Sequence, residues 1–289
     1  MESVKEFANA KINLGLNILG KRSDGYHSVL MVMQSIALAD EIIISEAQEE
    51  SGITLSVSNA SLSCGSDNLA YKAASLLAAH SGITPNIHIS LNKKIFLAAG
   101  LAGGSSDAAA VLRGLNKLWQ LRMSVTDLKK LGSQLGSDIP FCIAGGSAIA
   151  EGRGEIIHQL ADLPPVHVIL AKPKNIEVST GLVYGKYDSR RVIRTPNIHR
   201  IADNITSGAH AFTNYMANVL ETVTIPKYPV IASIKATMLG AGAYAALMSG
   251  SGPTVFALAH THPEAMHIRE ALSEYDVDTT ITTTTGRII

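Results

Sequence analysis

The chain has 289 residues and is poor in cysteine, tryptophan and net charge. Its two cysteines, Cys64 and Cys142, stand far apart and outside any CxxC. Two such thiols cannot make a disulfide scaffold for a chain of this length, and they read as reduced thiols in a cytoplasmic protein. Lys plus Arg is 24 and Asp plus Glu is 24, so the formal net charge is zero. A general nucleic-acid scaffold is more basic than this, although a local basic site for a small anion stays open. No apolar run approaches the length of a membrane span. The start, Met1-Glu2-Ser3-Val4-Lys5-Glu6, carries charges where a signal peptide needs apolar residues. The expectation is a soluble protein with neither a nucleic-acid nor a membrane partner. Several templates are missing as well: no HExxH, no Cys/His cluster, no GxSxG elbow and no GxxxxGK[ST] loop.

What is present is a globular balance, 46% hydrophobic against 17% charged, with 24 glycines that cluster. Ser28 to Ser45 is apolar and β-branched, interrupted by Asp40-Glu41, and reads as two strands. Ile87, Ile89 and Leu91 alternate with polar residues, as in a half-buried strand. Leu69, Ala73, Leu76 and Leu77 fall at helical spacing up to Gly82, and Val111, Leu112, Leu115, Leu118 and Trp119 form a second helical stripe. Ser124 and Asp127 frame a third helix start, with Leu128, Leu131 and Leu135 on one face. Asp162-Leu163-Pro164-Pro165 marks a boundary between domains 1–160 and 161–289. Beyond it come a strand over 166–170, a helix over 229–239, strands over 243–248 and 254–259, and a helix over 263–272. The Thr-rich stretch 279–285 favours a strand. Strands in runs and helices in runs indicate an α+β fold. Gly240-Ala241-Gly242-Ala243-Tyr244-Ala245 matches GxGxxA, but it follows a helix and opens a strand, so it reads as a helix end.

Four constellations carry chemistry. The segment Ala98-Ala99-Gly100-Leu101-Ala102-Gly103-Gly104-Ser105-Ser106 is a small-residue loop running into a helix. Small side chains let an anion reach backbone N–H groups, the helix start adds unpaired donors, and the two serines can meet a phosphate oxygen or a metal ion. Met248-Ser249-Gly250-Ser251-Gly252-Pro253 is a turn between two apolar strands; alone it is a plain tight turn. Lys11 and Asn13 share one face of an apolar strand, which is ordinarily a solvent face. Asp138, in Gly136-Ser137-Asp138-Ile139-Pro140-Phe141, is an acid beside apolar residues, where it needs a partner or caps a turn.

In this order the four constellations resemble the GHMP kinase superfamily, over the whole chain. Arg22-Ser23-Asp24-Gly25-Tyr26-His27 and Asp67-Asn68-Leu69 add a resemblance to those of its members that act on a cytidine-diphospho alcohol. The resemblance implies a two-domain α+β fold with the active site in the cleft between domains. It implies transfer of the γ-phosphoryl group of ATP, with Mg2+, to the 2-hydroxyl of cytidine-diphospho methylerythritol in non-mevalonate isoprenoid synthesis. By the same resemblance Asp138 is the base and Lys11 its cationic partner. Residues 98 to 106 hold the ATP phosphates, Asn68 and Lys93 lie near the adenine, and Ser105 or Ser106 meets the metal. Asn13, Tyr26, His27, Thr180, Tyr184 and the turn residues Ser249, Gly250, Ser251 and Gly252 belong to the substrate side, in a monomer or homodimer. The loop departs from the family pattern: Phe96 stands at a Pro position and Ala98, Ala99 and Ala102 at Gly positions. Each Ala is strained if its backbone needs positive φ, and relaxed otherwise. Other readings remain: a homoserine- or mevalonate-type kinase, or a nucleotide-binding sensor without catalysis.

Overall fold

The computed structural model describes residues 2–47, 52–207 and 211–288. Two long strands, β1 (Ser3–Lys21) and β2 (His27–Glu46), form an antiparallel hairpin that spans the molecule. Next come β3 (Ile53–Val57), α1 (Leu69–Ser81), β4 (Ile87–Asn92), α2 (Gly103–Leu118), α3 (Val125–Gly132), α4 (Ile139–Ala144), β5 (Ser147–Glu151) and β6 (Ile156–Gln159). The first sheet runs β3-β4-β2-β5-β6, with β1 also paired to β2. Helix α2 packs on β1 and β2, flanked by α1 and α4. Two helix starts in this half carry a side-chain cap among those expected: Asn68 accepts from Ala70 N–H and Ser124 from Asp127 N–H, while Gly82 closes α1 in the left-handed conformation.

The second half holds β7 (His167–Pro173), α5 (Thr180–Gly185), α6 (Ile198–Asn204), α7 (Glu221–Lys227), α8 (Val230–Gly240), β8 (Ala245–Met248), β9 (Val255–Ala259), α9 (His262–Glu270) and β10 (Val277–Thr283). Its sheet runs β10-β7-β9-β8, packed by α8 and α9. The 240–245 glycine pattern is the end of α8 and the entry to β8. After β10 the chain returns to the first sheet, where Thr285 N–H donates to Ser35 C=O and Ile288 N–H to Ala144 C=O. A cut at 160 therefore leaves the last residues bonded to the first half.

One expectation fails. Asp40-Glu41 does not break β2, which continues through both residues. Asp40 is fully buried and accepts hydrogen bonds from Lys93 Nζ and from the backbone N–H groups of Lys94 and Ile95. A carboxylate with that many donors is compatible with a strand interior.

Candidate active site

A cleft of about 1250 Å3 opens between the two halves and takes residues from both. Its floor begins at Lys11. The pairing of β1 with β2 slips on either side of Lys11, between Asn9 and Lys11 and again between Asn13 and Gly15. Lys11 stays in register with Ser35 of β2, and on its other edge its N–H donates to Leu101 C=O in the loop at 3.1 Å. Lys11 and Asn13 are both buried, so this is not a solvent face. Lys11 Nζ donates to Asn13 Oδ1 and to Gly100 C=O, each at 2.8 Å. Burial pushes the Lys11 ammonium below the ordinary lysine value, and the charge of Asp138 pulls it back.

The loop is main chain throughout. Gly100 C=O accepts from Lys11 Nζ and from Ser249 Oγ, the latter at 3.0 Å. A Cβ on Gly100 would run into the Ser249 carbonyl, and its φ is +74°, so only glycine fits. Ala98 and Ala102 stand at φ of 50° and 59°, the left-handed conformation that strains alanine, whereas Ala99 is relaxed and buried. No side chain caps the start of α2, so the donors of its first turn are left to the cleft.

Asp138 precedes α4 on the cleft wall, and its carboxylate caps nothing. The helix behind it is fixed by Arg113, which donates to Cys142 C=O at 2.9 Å, to Phe7 C=O at 2.8 Å and to Glu6 Oε2 at 3.0 Å. Cys142 itself is a neutral thiol, pushed up to about 12 by burial. The field of Asp138 reaches Lys11 on one side and Tyr184 on the other, where it adds to burial in raising the Tyr184 phenol. Tyr184 on α5 lies 5.7 Å from the His27 ring, centroid to centroid. Tyr26 is 56% exposed at the mouth of the cleft, with the Arg153 guanidinium 5.1 Å over its ring. Thr180 Oγ1 and Ser251 Oγ are 2.8 Å apart, joining α5 to the 249–252 turn.

Most of the residues expected from the sequence therefore line one cleft, but several do not serve as expected. Ser106 is buried off the wall, and its hydroxyl donates to Asn9 C=O at 2.6 Å, so it is not open to a metal or phosphate; Ser105 stays on the wall. Ser249 and Gly252 are buried behind the cleft, where Ser249 holds the loop rather than a ligand, while Gly250 and Ser251 reach the surface of the wall. Asn68 is committed to capping α1 and to Ser63 C=O. Lys93 is clamped between Asp40 and Asp107, its side chain 5% exposed, and Asp107 Oδ1 has no partner among the described residues. Burial, with Asp40 adding to it against the pull of Lys93, raises the Asp107 carboxyl to about 7. The sequence reading missed Arg153, this acid–lysine–acid clamp, and Asn218, whose Nδ2 ties the turn by donating to Met248 and Gly250 carbonyls at 2.8 and 2.7 Å. Nothing local in the sequence announces any of the three.

The model of GHMP kinases N terminal domain matches residues 68–146, and that of GHMP kinases C terminal matches 193–278. The chain belongs to the GHMP kinases. Among curated relatives of this kinase, 4-diphosphocytidyl-2-C-methyl-D-erythritol kinase of Bacillus cereus (strain B4264) is 49% identical over 261 residues, 90% of this chain and 89% of its own. The protein of the same name from Bacillus anthracis (strain CDC 684) is also 49% identical over 90% of this chain and 89% of its own. A solved structure of 4-(cytidine 5'-diphospho)-2C-methyl-D-erythritol kinase superposes with a TM-score of 0.84 at 33% identity, covering 98% of this chain and all of that one. A homoserine kinase from Cytophaga hutchinsonii, 18% identical and covering 99% and 96% of the two chains, shares the fold with a TM-score of 0.78. The α+β two-domain architecture of this GHMP kinase, with its cleft between the halves, is thus that of its relatives. Among the described residues no helix is long and apolar enough to cross a membrane.

Proposed function

We propose that this GHMP kinase transfers the γ-phosphoryl group of ATP to the 2-hydroxyl of 4-diphosphocytidyl-2-C-methyl-D-erythritol, using residues 1–160 mainly for the nucleotide. The observation that carries the reading is a continuous path along one cleft: the 98–105 main chain, Lys11 bonded to Gly100, Asp138 beside Lys11, then Tyr184 and His27 beyond Asp138. The path supports an anion cradle at one end, stacking surfaces for a flat base at the other, and an acid–lysine pair where the two ligands would meet. Uncapped N–H groups at the start of a sixteen-residue helix fit the phosphates of ATP.

Bound ATP with Mg2+ supplies the phosphoryl group and the cation that offsets its charge. The chain's own part is positioning and proton movement. Asp138 accepts the proton of the substrate hydroxyl. Lys11 keeps one of its three donors beyond those given to Asn13 and Gly100, and that donor steadies the hydroxyl oxygen and the charge developing there. Ser105 is the residue assigned to the metal side. Tyr26 and Tyr184 hold the cytosine by stacking, about 1–3 kcal/mol for each base–aromatic contact by analogy with single-strand binding, and His27 presents backbone or ring groups to its hydrogen-bonding edge. The Tyr26–His27–Tyr184 group favours this substrate over homoserine or mevalonate, which carry no base to stack.

An ADP-release assay with 4-diphosphocytidyl-2-C-methyl-D-erythritol, homoserine and mevalonate tests the reading. Release with the cytidine alcohol alone is expected. Equal or greater release with either other alcohol overturns the substrate assignment, and no release with any of them overturns catalysis in favour of a nucleotide-binding sensor.

A further inference from the structure

A second cavity, about 290 Å3, lies behind α5 on the side away from the cleft. It is small among ligand pockets, which run from about 300 Å3 upward. Its wall is apolar through Leu182, Val183, Val223 and Pro226, and among the described residues its charged lining is Lys186, Arg191 and Lys227 against one carboxylate, Asp188. Among the described residues no ion pair involves any of those three cations. Lys227 Nζ is held 4.9 Å over the ring of Tyr228, which also lines the cavity. A pocket with an apolar body and three cations against one carboxylate is complementary to an amphipathic anion of about two negative charges, with the arginine able to take two oxygens at once.

The position of this cavity gives it a consequence. Helix α5 is the partition: Thr180 and Tyr184 face the cleft, while Leu182 and Val183 face the second cavity, and Val178 just before the helix lines both. A hydrogen-bonded route runs the same way. Thr224, on the wall of the second cavity, donates to Ser251 C=O at 3.1 Å, and Ser251 Oγ meets Thr180 Oγ1 on the cleft side at 2.8 Å.

We propose that this cavity is a second ligand site, taking an organic phosphate or diphosphate with a short hydrocarbon body, and that its occupancy is transmitted through α5 to the Thr180–Tyr184 wall. The transmission is relevant to catalysis through the reading that this wall holds the cytidine substrate, but the site itself does not depend on that reading. Linkage requires the effect to be mutual: whatever the anion does to the affinity of the cleft ligand, that ligand does to the anion.

The test is a calorimetric titration of the full chain, saturated with ADP so that the phosphate loop is filled, using n-pentyl diphosphate, inorganic pyrophosphate and 1-pentanol as separate probes. One equivalent of pentyl diphosphate is expected to bind, at least tenfold tighter than either of the other two. Lys186→Ala combined with Lys227→Ala should weaken it at least tenfold; both residues are exposed, so folding is not at stake. Amide hydrogen exchange over residues 180–185 should slow several-fold on adding the probe, and this readout needs no turnover. Displacement of the probe by excess ADP, binding indifferent to the double substitution, or pyrophosphate binding as tightly as the pentyl ester would overturn the site. Binding without any change of exchange in α5 would overturn the transmission. Failure of the kinase reading would show instead in the ADP-release assay, with this titration unaffected.

Discussion

At one end of the cleft the wall is main chain: residues 98–105, knotted to the second half through Gly100, Ser249 and Asn218. At the other end it is side chain: Tyr26 and His27 after the first hairpin strand, Tyr184 on a short helix, and Arg153 over the Tyr26 ring. At Gly100 the main-chain wall has no room for a Cβ, because its neighbours there are main-chain atoms of Ser249 and Gly252. A side-chain wall can be trimmed without disturbing the fold, since Tyr26 is more than half exposed. Two lysines on the same cleft also differ. Lys11 bonds to the neutral oxygens of Asn13 and Gly100, so those two bonds leave its charge unneutralised, whereas the charge of Lys93 is met by Asp40 and Asp107. Presence on the cleft wall is therefore not a measure of catalytic use.

The largest effect lies where the two ends meet. Asp138→Asn should lower kcat by about a hundred- to ten-thousand-fold, the range of a lost general base. ATP affinity should change less than twofold, as read by steady-state kinetics and nucleotide titration; near-normal turnover would remove Asp138 from the chemistry.

Next comes the clamp. Lys93→Met leaves two buried carboxylates without their cation and should cost about 3–5 kcal/mol in denaturant unfolding. The same clamp predicts a pH dependence. Asp107 ordinarily titrates at 3.8 and is raised to about 7 in the fold. Between those values the folded chain keeps a proton that the unfolded chain has lost, so this group's contribution to stability falls as pH rises through the window and levels off above it. Asp107→Asn should flatten that part of the stability profile; an unchanged slope would mean the carboxyl is ionised throughout.

Gly100→Ala tests the backbone end directly. The collision with Ser249 C=O and the positive φ together should cost about 2–4 kcal/mol of stability, and ATP binding should weaken more than cytidine binding. A variant of wild-type stability would show that the loop has room to move.

At the aromatic end Tyr26→Ala should raise KM for the cytidine substrate about five- to tenfold, consistent with one lost stacking contact. Stability and the ATP Kd should stay within twofold of wild type. Equal weakening of both ligands would mean that the two ends have been assigned wrongly.

The smallest effect separates neighbouring alanines. Ala98→Gly relieves a left-handed backbone and should leave the thermal midpoint level or raise it, by a change worth under about 1 kcal/mol. Ala99→Gly, relaxed and buried, should lower it by about 0.5–1 kcal/mol. The sequence alone treats these two residues alike, and opposite signs in calorimetry would separate them.

What could be read from the sequence was local. The cap at Ser124, the stop at Gly82 and the apolar periodicity of α2 depend on residues within a few positions of one another, and the structure has them in place. The small-residue loop was legible because close main-chain packing, as at Gly100, leaves a compositional trace. Asp40 was misread as a strand break because the donors that pay for its burial lie more than fifty residues later. Ser106 and Ser249 look like ligand hydroxyls in one dimension, yet each is turned to a carbonyl, of Asn9 and Gly100 respectively. Arg153 reaches Tyr26 only through the β2–β5 pairing that the sequence does not display.

The account stands or falls on a single cleft holding two ligands at once, the nucleotide on the main-chain wall and the cytidine alcohol on the aromatic one. The direct measurement is a titration of 4-diphosphocytidyl-2-C-methyl-D-erythritol into the protein already saturated with a non-hydrolysable ATP analogue. One equivalent should bind without releasing the analogue. Stoichiometric displacement of the analogue would contradict the two-ended cleft.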